Sequence, residues 1–186
     1  MIRAGVAVMI AIAALSETAA RPIDVEHSRL TVFVYRAGLL SAFGDDHVIS
    51  APIRGGTISM IPSPSIDLVV NTADLTVLDP GLGQEERDEV RARMLGPDVL
   101  DTPKFPTIRF ESTAIERTAE DRWNVSGRLS IRGITRPVTL AAVEVSGRYI
   151  GEVTIRQRDF GIQPIRVMGG TVRVKDELKI AFEIAA

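Results

Sequence analysis

The chain has no cysteine in 186 residues, so disulfides, a thiol nucleophile and a cysteine-built metal site are all excluded. Stability must come from an ordinary hydrophobic core, and the length suffices for one domain with a sizeable core. Aromatic residues are also scarce, at 5% against 45% hydrophobic residues overall. Any interior is therefore lined mainly by aliphatic side chains, which suits an aliphatic ligand as well as it suits a plain core. The formal net charge is −2 and no basic block interleaved with aromatics occurs, so nucleic acid is not an expected partner. The apolar run Ala4 to Leu15 stops at twelve residues, short of the roughly 20 that a membrane-spanning helix needs.

That run follows a short basic start, Met1-Ile2-Arg3, and precedes the small and polar stretch Ser16 to Ala20. The three parts read as a signal peptide over residues 1–20, with Thr18 and Ala20 small at the positions a signal peptidase reads. Residues 21–186 are then one exported domain, periplasmic or secreted.

The pattern that organises the rest is Trp123 to Leu140. Trp123, Val125, Gly127, Leu129 and Ile131 share one parity, and Asn124, Ser126, Arg128, Ser130 and Arg132 the other, as in a strand buried on one face. Gly133 allows a turn, and Thr135 to Val145 begins a second run, so the pair predicts an antiparallel hairpin. Further runs are His27 to Ala37, His47 to Ile61 with Pro52 and Gly55-Gly56 as breakers, Ser65 to Leu78 with a parity shift that implies a bulge, Thr107 to Glu116, Glu152 to Phe160, and Thr171 to Ile184. In the last, Val172, Val174, Leu178, Ile180, Phe182 and Ile184 share a parity broken only by Asp176.

These make eight strands in all, the number whose closed barrel either fills itself with side chains or holds one small ligand. The one convincing helix runs from about Gln84 to Leu95, with Glu85 and Glu86 in its first turn, Arg91 and Arg93 in its last, and Gly96-Pro97 as the stop. Val90, Met94 and Leu95 give it a narrow apolar stripe, so it lies on the barrel.

Several stretches together resemble the YceI family. They are Asp24-Val25-Glu26-His27-Ser28, Glu86-Arg87-Asp88, Leu100 to Pro106 with Ile108 to Thr113, Gly127 to Val138, and Asp159-Phe160-Gly161-Ile162. Their order and spacing carry the resemblance, which runs from about Ile23 to Ile184. It implies an all-β, eight-stranded antiparallel lipocalin-like β-barrel with one α-helix between strands 3 and 4. It also implies a role in binding a polyisoprenoid or related amphiphile inside the barrel. Family members often carry a histidine where Arg36 stands, an aromatic residue where Val32 stands and a basic residue at Gln157, so the headgroup or chain preference here is expected to differ.

If the barrel is hollow, Val32, Val34, Phe110, Trp123, Val125, Leu129, Ile155, Ile180 and Phe182 are the candidates to line it. If it is filled, the same residues are its core. Arg36 is the polar member of this ligand-binding set, and an inward arginine near a mouth either meets a phosphate, hydroxyl or quinone headgroup or closes an internal salt bridge.

The only histidines, His27 and His47, could join Asp45 and Asp46 at a metal, but no spacing brings them together, and a solvated turn is the simpler reading. No G-x-S-x-G elbow is present. Gly55-Gly56 and Gly169-Gly170 precede no helix and read as turns rather than phosphate cradles. Arg87 and Asp88 are expected to anchor the helix as a lid or plug. The expectation is thus a non-catalytic carrier of an isoprenoid lipid or quinone-like amphiphile, with no cofactor and no metal. A homodimer and an envelope protein partner are both left open. Its rivals are a filled-barrel envelope interaction or stress module and a hydrolase or metal-dependent enzyme acting on an amphiphile.

Overall fold

A computed structural model describes residues 20–37, 46–60, 63–167 and 172–186. The expected signal peptide up to residue 19, Asp45 and the Gly169-Gly170 pair lie outside the described residues. In chain order the elements are β1 (Arg21–Pro22), β2 (Asp24–Ala37), β3 (His47–Ser50), β4 (Ile53–Ser59), β5 (Ser65–Asn71), β6 (Thr76–Val77), α1 (Gln84–Leu95), β7 (Thr107–Ala119), β8 (Arg122–Ile131), β9 (Ile134–Val145), β10 (Arg148–Arg156), β11 (Arg166–Val167) and β12 (Val172–Ala185).

The strands form one antiparallel sheet in the order β1-β4-β5-β7-β8-β9-β10-β12-β2-β3-β6, with β11 on β12. Because β1 runs directly into β2, the sheet curls back on its own first run. Arg21 and Pro22 pair with β4, the Ile23 N–H donates to the Gly56 carbonyl at 3.0 Å, and the following residues lie between β12 and β3.

The expectation of eight strands is corrected to twelve among the described residues. All eight runs are present, but the second and third are each broken in two, and β1 and β11 are additional. The lead-in before His27 is itself paired, as β1 and the start of β2. Pro52, which has no N–H to donate, separates β3 from β4, and a register shift follows between Ile53 and Gly55. The parity shift after Val70 is a 3-10 turn over Thr72–Asp74 rather than a bulge. Across it the chain changes partners, from β4 and β7 on one side to β3 on the other.

In β8 the period of two holds. Along β8, Val125, Gly127, Leu129 and Ile131 are buried while Asn124 and Arg128 are exposed. Its hairpin with β9 turns at Arg132 and Gly133, whose φ values of 51° and 73° are the left-handed pair that a two-residue hairpin loop requires. The parity break at Asp176 is a bulge, since β12 shifts register against β2 between Val174 and Leu178. Its carboxylate accepts the Arg158 N–H at 3.0 Å.

The helix has the expected bounds, and Val90, Met94 and Leu95 pack on the main apolar cluster, which includes Ile49, Val70, Leu129, Ile155 and Phe160. A second cluster, Ile23, Ile53, Ile58 and Ile184 with Tyr149 and Phe182 against it, lies among the N-terminal residues of β2 and the C-terminal residues of β12. The interior between the two clusters is not filled.

Candidate functional site

A cavity of about 570 Å³ runs through the curled sheet, within the size range of small-molecule sites. Its lining is mostly aliphatic, drawn from nearly every strand, because the inward parity of each strand is apolar. All ten residues singled out from the sequence, Val32, Val34, Arg36, Phe110, Trp123, Val125, Leu129, Ile155, Ile180 and Phe182, face this one space. Gln157, noted for its departure from the family pattern, and His47, weighed only as a metal ligand, also line it, as do Glu86, Glu89, Arg93 and Arg173, which the sequence reading missed.

Strand register sorts these residues by depth. Trp123, Ala142, Gly151, Phe182 and Leu30 are successive partners across five strands, forming one rung of the sheet. That end is apolar. The Phe182 ring lies where a Gly151 side chain would stand, 2.5 Å from the Cβ position, and the Phe110 ring covers Gly127 at the same distance. Two inward glycines thus let aromatic rings lie flat against the wall instead of crossing the bore. The Tyr149 phenol is pushed up by burial, with the Glu144 carboxylate adding to the shift. The Trp123 indole Nε1 is buried with no acceptor among the described residues, and the Arg117 guanidinium sits 5.5 Å from the ring centre.

Polar groups gather at the opposite end, under α1. Arg36 is paired with Val174 and His47 with Val34, which places both at one edge of the sheet. Gln157 follows β10 directly and donates to the Lys175 carbonyl at 2.8 Å. From the helix come Glu86, Glu89 and Arg93.

The helix is held to this end by guanidinium groups on carbonyls. Arg91 donates through Nε to Leu75 at 2.8 Å and through Nη2 to Ala73 at 2.5 Å. Arg87 reaches the Leu82 carbonyl at 2.5 Å and that of Asp79 at 3.3 Å. Arg87 therefore ties the helix to the preceding loop, while Asp88 accepts from Gln84 within the helix at 3.0 Å.

The two histidines are not brought together. His27 Nδ1 pairs with Asp24 at 2.8 Å on the exposed surface, and that contact holds the Asp24 carboxyl below its ordinary value. His47 Nδ1 pairs with Asp79 at 2.6 Å. Asp79 is buried and also accepts the Val48 N–H at 2.6 Å, so it fixes the start of β3 as well as the ring. No group of three or more metal-ligating side chains occurs among the described residues.

Arg36 is the polar group left open. Its side chain is 11% exposed, its Nε lies 3.8 Å from Asp46 Oδ1, and both Nε and Nη1 are buried without a hydrogen-bond acceptor among the described residues. The salt bridge anticipated as one of its two readings is thus a distant contact, not a hydrogen-bonded pair.

An antiparallel sheet thus curls around a largely apolar cavity whose charged lining residues lie at one end. Residues 22–186 match the sequence model of the YceI-like domain family, and the chain belongs to that family. A UPF0312 protein of Azotobacter vinelandii is 34% identical over 93 residues, which cover 42% of this chain and 44% of that one. One from Pseudomonas aeruginosa is 30% identical over 111 residues, 54% and 55% of the two chains. The chain therefore spans about half the length of these curated relatives.

Two solved structures share the fold. Burkholderia cenocepacia BcnA has a TM-score of 0.61 at 18% identity, over 88% of this chain and 99% of its own. A polyisoprenoid binding domain from Saccharophagus degradans has a TM-score of 0.61 at 13% identity, over 90% and 97%.

Proposed function

We propose that this protein binds an isoprenoid-type amphiphile, tail inward, as a non-catalytic carrier or buffer outside the cytoplasm. The observation that carries the proposal is the cavity itself, a largely aliphatic bore of about 570 Å³ with its charged groups confined to the helix end. A filled interior would be expected of an interaction module, and this interior has room. Each methylene transferred from water into such a bore is worth about 0.8 kcal/mol, close to fourfold in affinity. Binding should therefore tighten with chain length until the bore is full. Family membership and the polyisoprenoid-binding neighbour support a lipid ligand. Export is supported by the basic start and apolar run of residues 1–20.

The test is native mass spectrometry of the protein purified from its own envelope fraction, with extraction and identification of what is bound. A stoichiometric prenyl lipid is the expected result. An empty protein that also refuses added prenyl lipids of every length would overturn the proposal. Val153→Trp, which points extra volume into the bore, should abolish uptake while leaving the circular dichroism spectrum intact.

A further inference from the structure

We propose that the amphiphile carries an acidic headgroup, a phosphate or a carboxylate, and that Arg36 is the residue that selects it. The inference rests on the cavity's role as a binding site and names the chemistry of one end of it.

A guanidinium cannot lose its charge in a protein, so burying one without a partner is costly, and native structures compensate such groups. Among the described residues Arg36 has only a 3.8 Å contact with Asp46 to compensate it. That carboxylate is 56% exposed, and the oxygen facing Arg36 already accepts the Arg36 backbone N–H at 2.9 Å. The other carboxylates at this end are engaged elsewhere. Asp79 holds His47 and the Val48 N–H. Glu86 accepts the Gly83 N–H at 2.8 Å, and Glu89 pairs with Arg93 at 3.6 Å. Two buried nitrogens of Arg36, Nε and Nη1, therefore lack an acceptor among the described residues, at the polar end of a cavity the residue lines.

The oxygens of a phosphate or carboxylate can accept from these nitrogens on either fork of the guanidinium, Nε with Nη2 or Nη1 with Nη2, and neutralise its charge at the same time. An alcohol or a quinone carbonyl satisfies one donor and leaves the charge buried.

The surface beside Arg36 has the same sign. Arg173 and Val174 line both the cavity and an adjoining groove of about 420 Å³. That groove carries five basic side chains, Arg173 among them, against Asp176 and Glu177, a local balance of +3 on a chain whose formal charge is −2. Such a patch draws anions towards the opening.

The experiment uses one tail with three heads: geranylgeranyl phosphate, geranylgeranoic acid and geranylgeraniol. Trp123 is the only tryptophan and lines the cavity, so its emission reports each titration. The expected result is that at least one acidic ligand binds about tenfold or more tightly than the alcohol. Arg36→Gln should close most of the gap between that ligand and the alcohol, and Arg36→Lys should keep part of the preference. Whichever acid shows the Arg36-dependent gain identifies the head as phosphate or carboxylate. Equal binding of acids and alcohol by the wild-type protein would overturn the headgroup inference and leave the cavity reading standing. So would a preference that survives Arg36→Gln in a folded variant. Failure of all three ligands to bind would overturn both. The wild-type comparison alone decides if Arg36→Gln does not fold.

Discussion

Gly151 sits where two strands and a ring converge. A Cβ there would stand 2.2 Å from the Ala141 carbonyl oxygen and 2.5 Å from the Phe182 ring. Gly151→Ala should therefore destabilise the protein by about 2–3 kcal/mol in urea melts. Phe182→Ala in the same background should recover only part of that, because the carbonyl remains.

Asp79 satisfies a backbone N–H and an imidazole from a buried position, so Asp79→Asn should cost about 1–3 kcal/mol in the same assay. On the outer face, Glu111 is held below the ordinary glutamate value, first by the hydrogen bond from Arg128 and then by the charge of Arg109. A carboxyl depressed in the folded state contributes stability above its unfolded value and loses it as pH falls through the folded one. The thermal-midpoint difference between wild type and Glu111→Gln should thus be present near neutrality, shrink towards strongly acidic pH, and shrink with salt as well.

At this scale the apolar lining was legible in the sequence, because period-two alternation assigns Val125, Leu129 or Ile180 to a face without knowledge of the partner strand. The pairing of His47 with Asp79 was not, since 32 residues separate them and only the change of partner between β5 and β6 brings them together.

The helix behaves as a separately fastened cover. None of its residues is buried, and beyond its apolar stripe it is held by Arg87 and Arg91 on carbonyls of the preceding segment. Removing Arg91 leaves two carbonyls without their donor, so Arg91→Ala should lower the free energy of local opening in α1 by about 1–3 kcal/mol. Amide hydrogen exchange over residues 84–95 should rise while exchange in β8 and β9 stays as it was. Equal acceleration in all three would show that the helix is not independently fastened.

The limits of α1 were readable because end charges and the Gly96-Pro97 stop are local signals. The face it docks was readable too, from Val90 and Met94, but not the arrival of Glu86, Glu89 and Arg93 in the lining beside that stripe, because they are polar. The strand breaks divide in the same way. Pro52 announces one, whereas the 3-10 turn at Thr72–Asp74 mimics a bulge, since both shift parity by the same amount.

Taken whole, the molecule was recognisable from motifs that mostly build scaffold. Asp101, at φ 50°, accepts the N–H groups of Lys104 and Phe105 in the link from α1 to β7. Arg132 clasps the carbonyls of Gly161 and Pro97 at 2.9 and 2.7 Å. Neither Asp101 nor Arg132 lines the cavity, so the resemblance points to the architecture more directly than to the ligand. A ligand that fills the cavity raises stability by mass action, and an added prenyl lipid at 100 times its Kd should raise the unfolding free energy by about 2.7 kcal/mol.

The pairing of β2 with β12 has a consequence for the order of assembly. Ser28 exchanges hydrogen bonds with Ala185, 157 residues away, so the first long strand and the last are neighbours in space and strangers in time. While the chain is being made, residues 24–37 have one of their two edges vacant until residues 172–185 have been synthesised. A nascent chain halted before that point keeps an unpaired, largely apolar strand edge on offer, the kind of template on which chains join one another. Ribosome-bound intermediates should therefore be held by chaperones or aggregate until residues 172–185 have emerged, and become protease-resistant only in the step that pairs them.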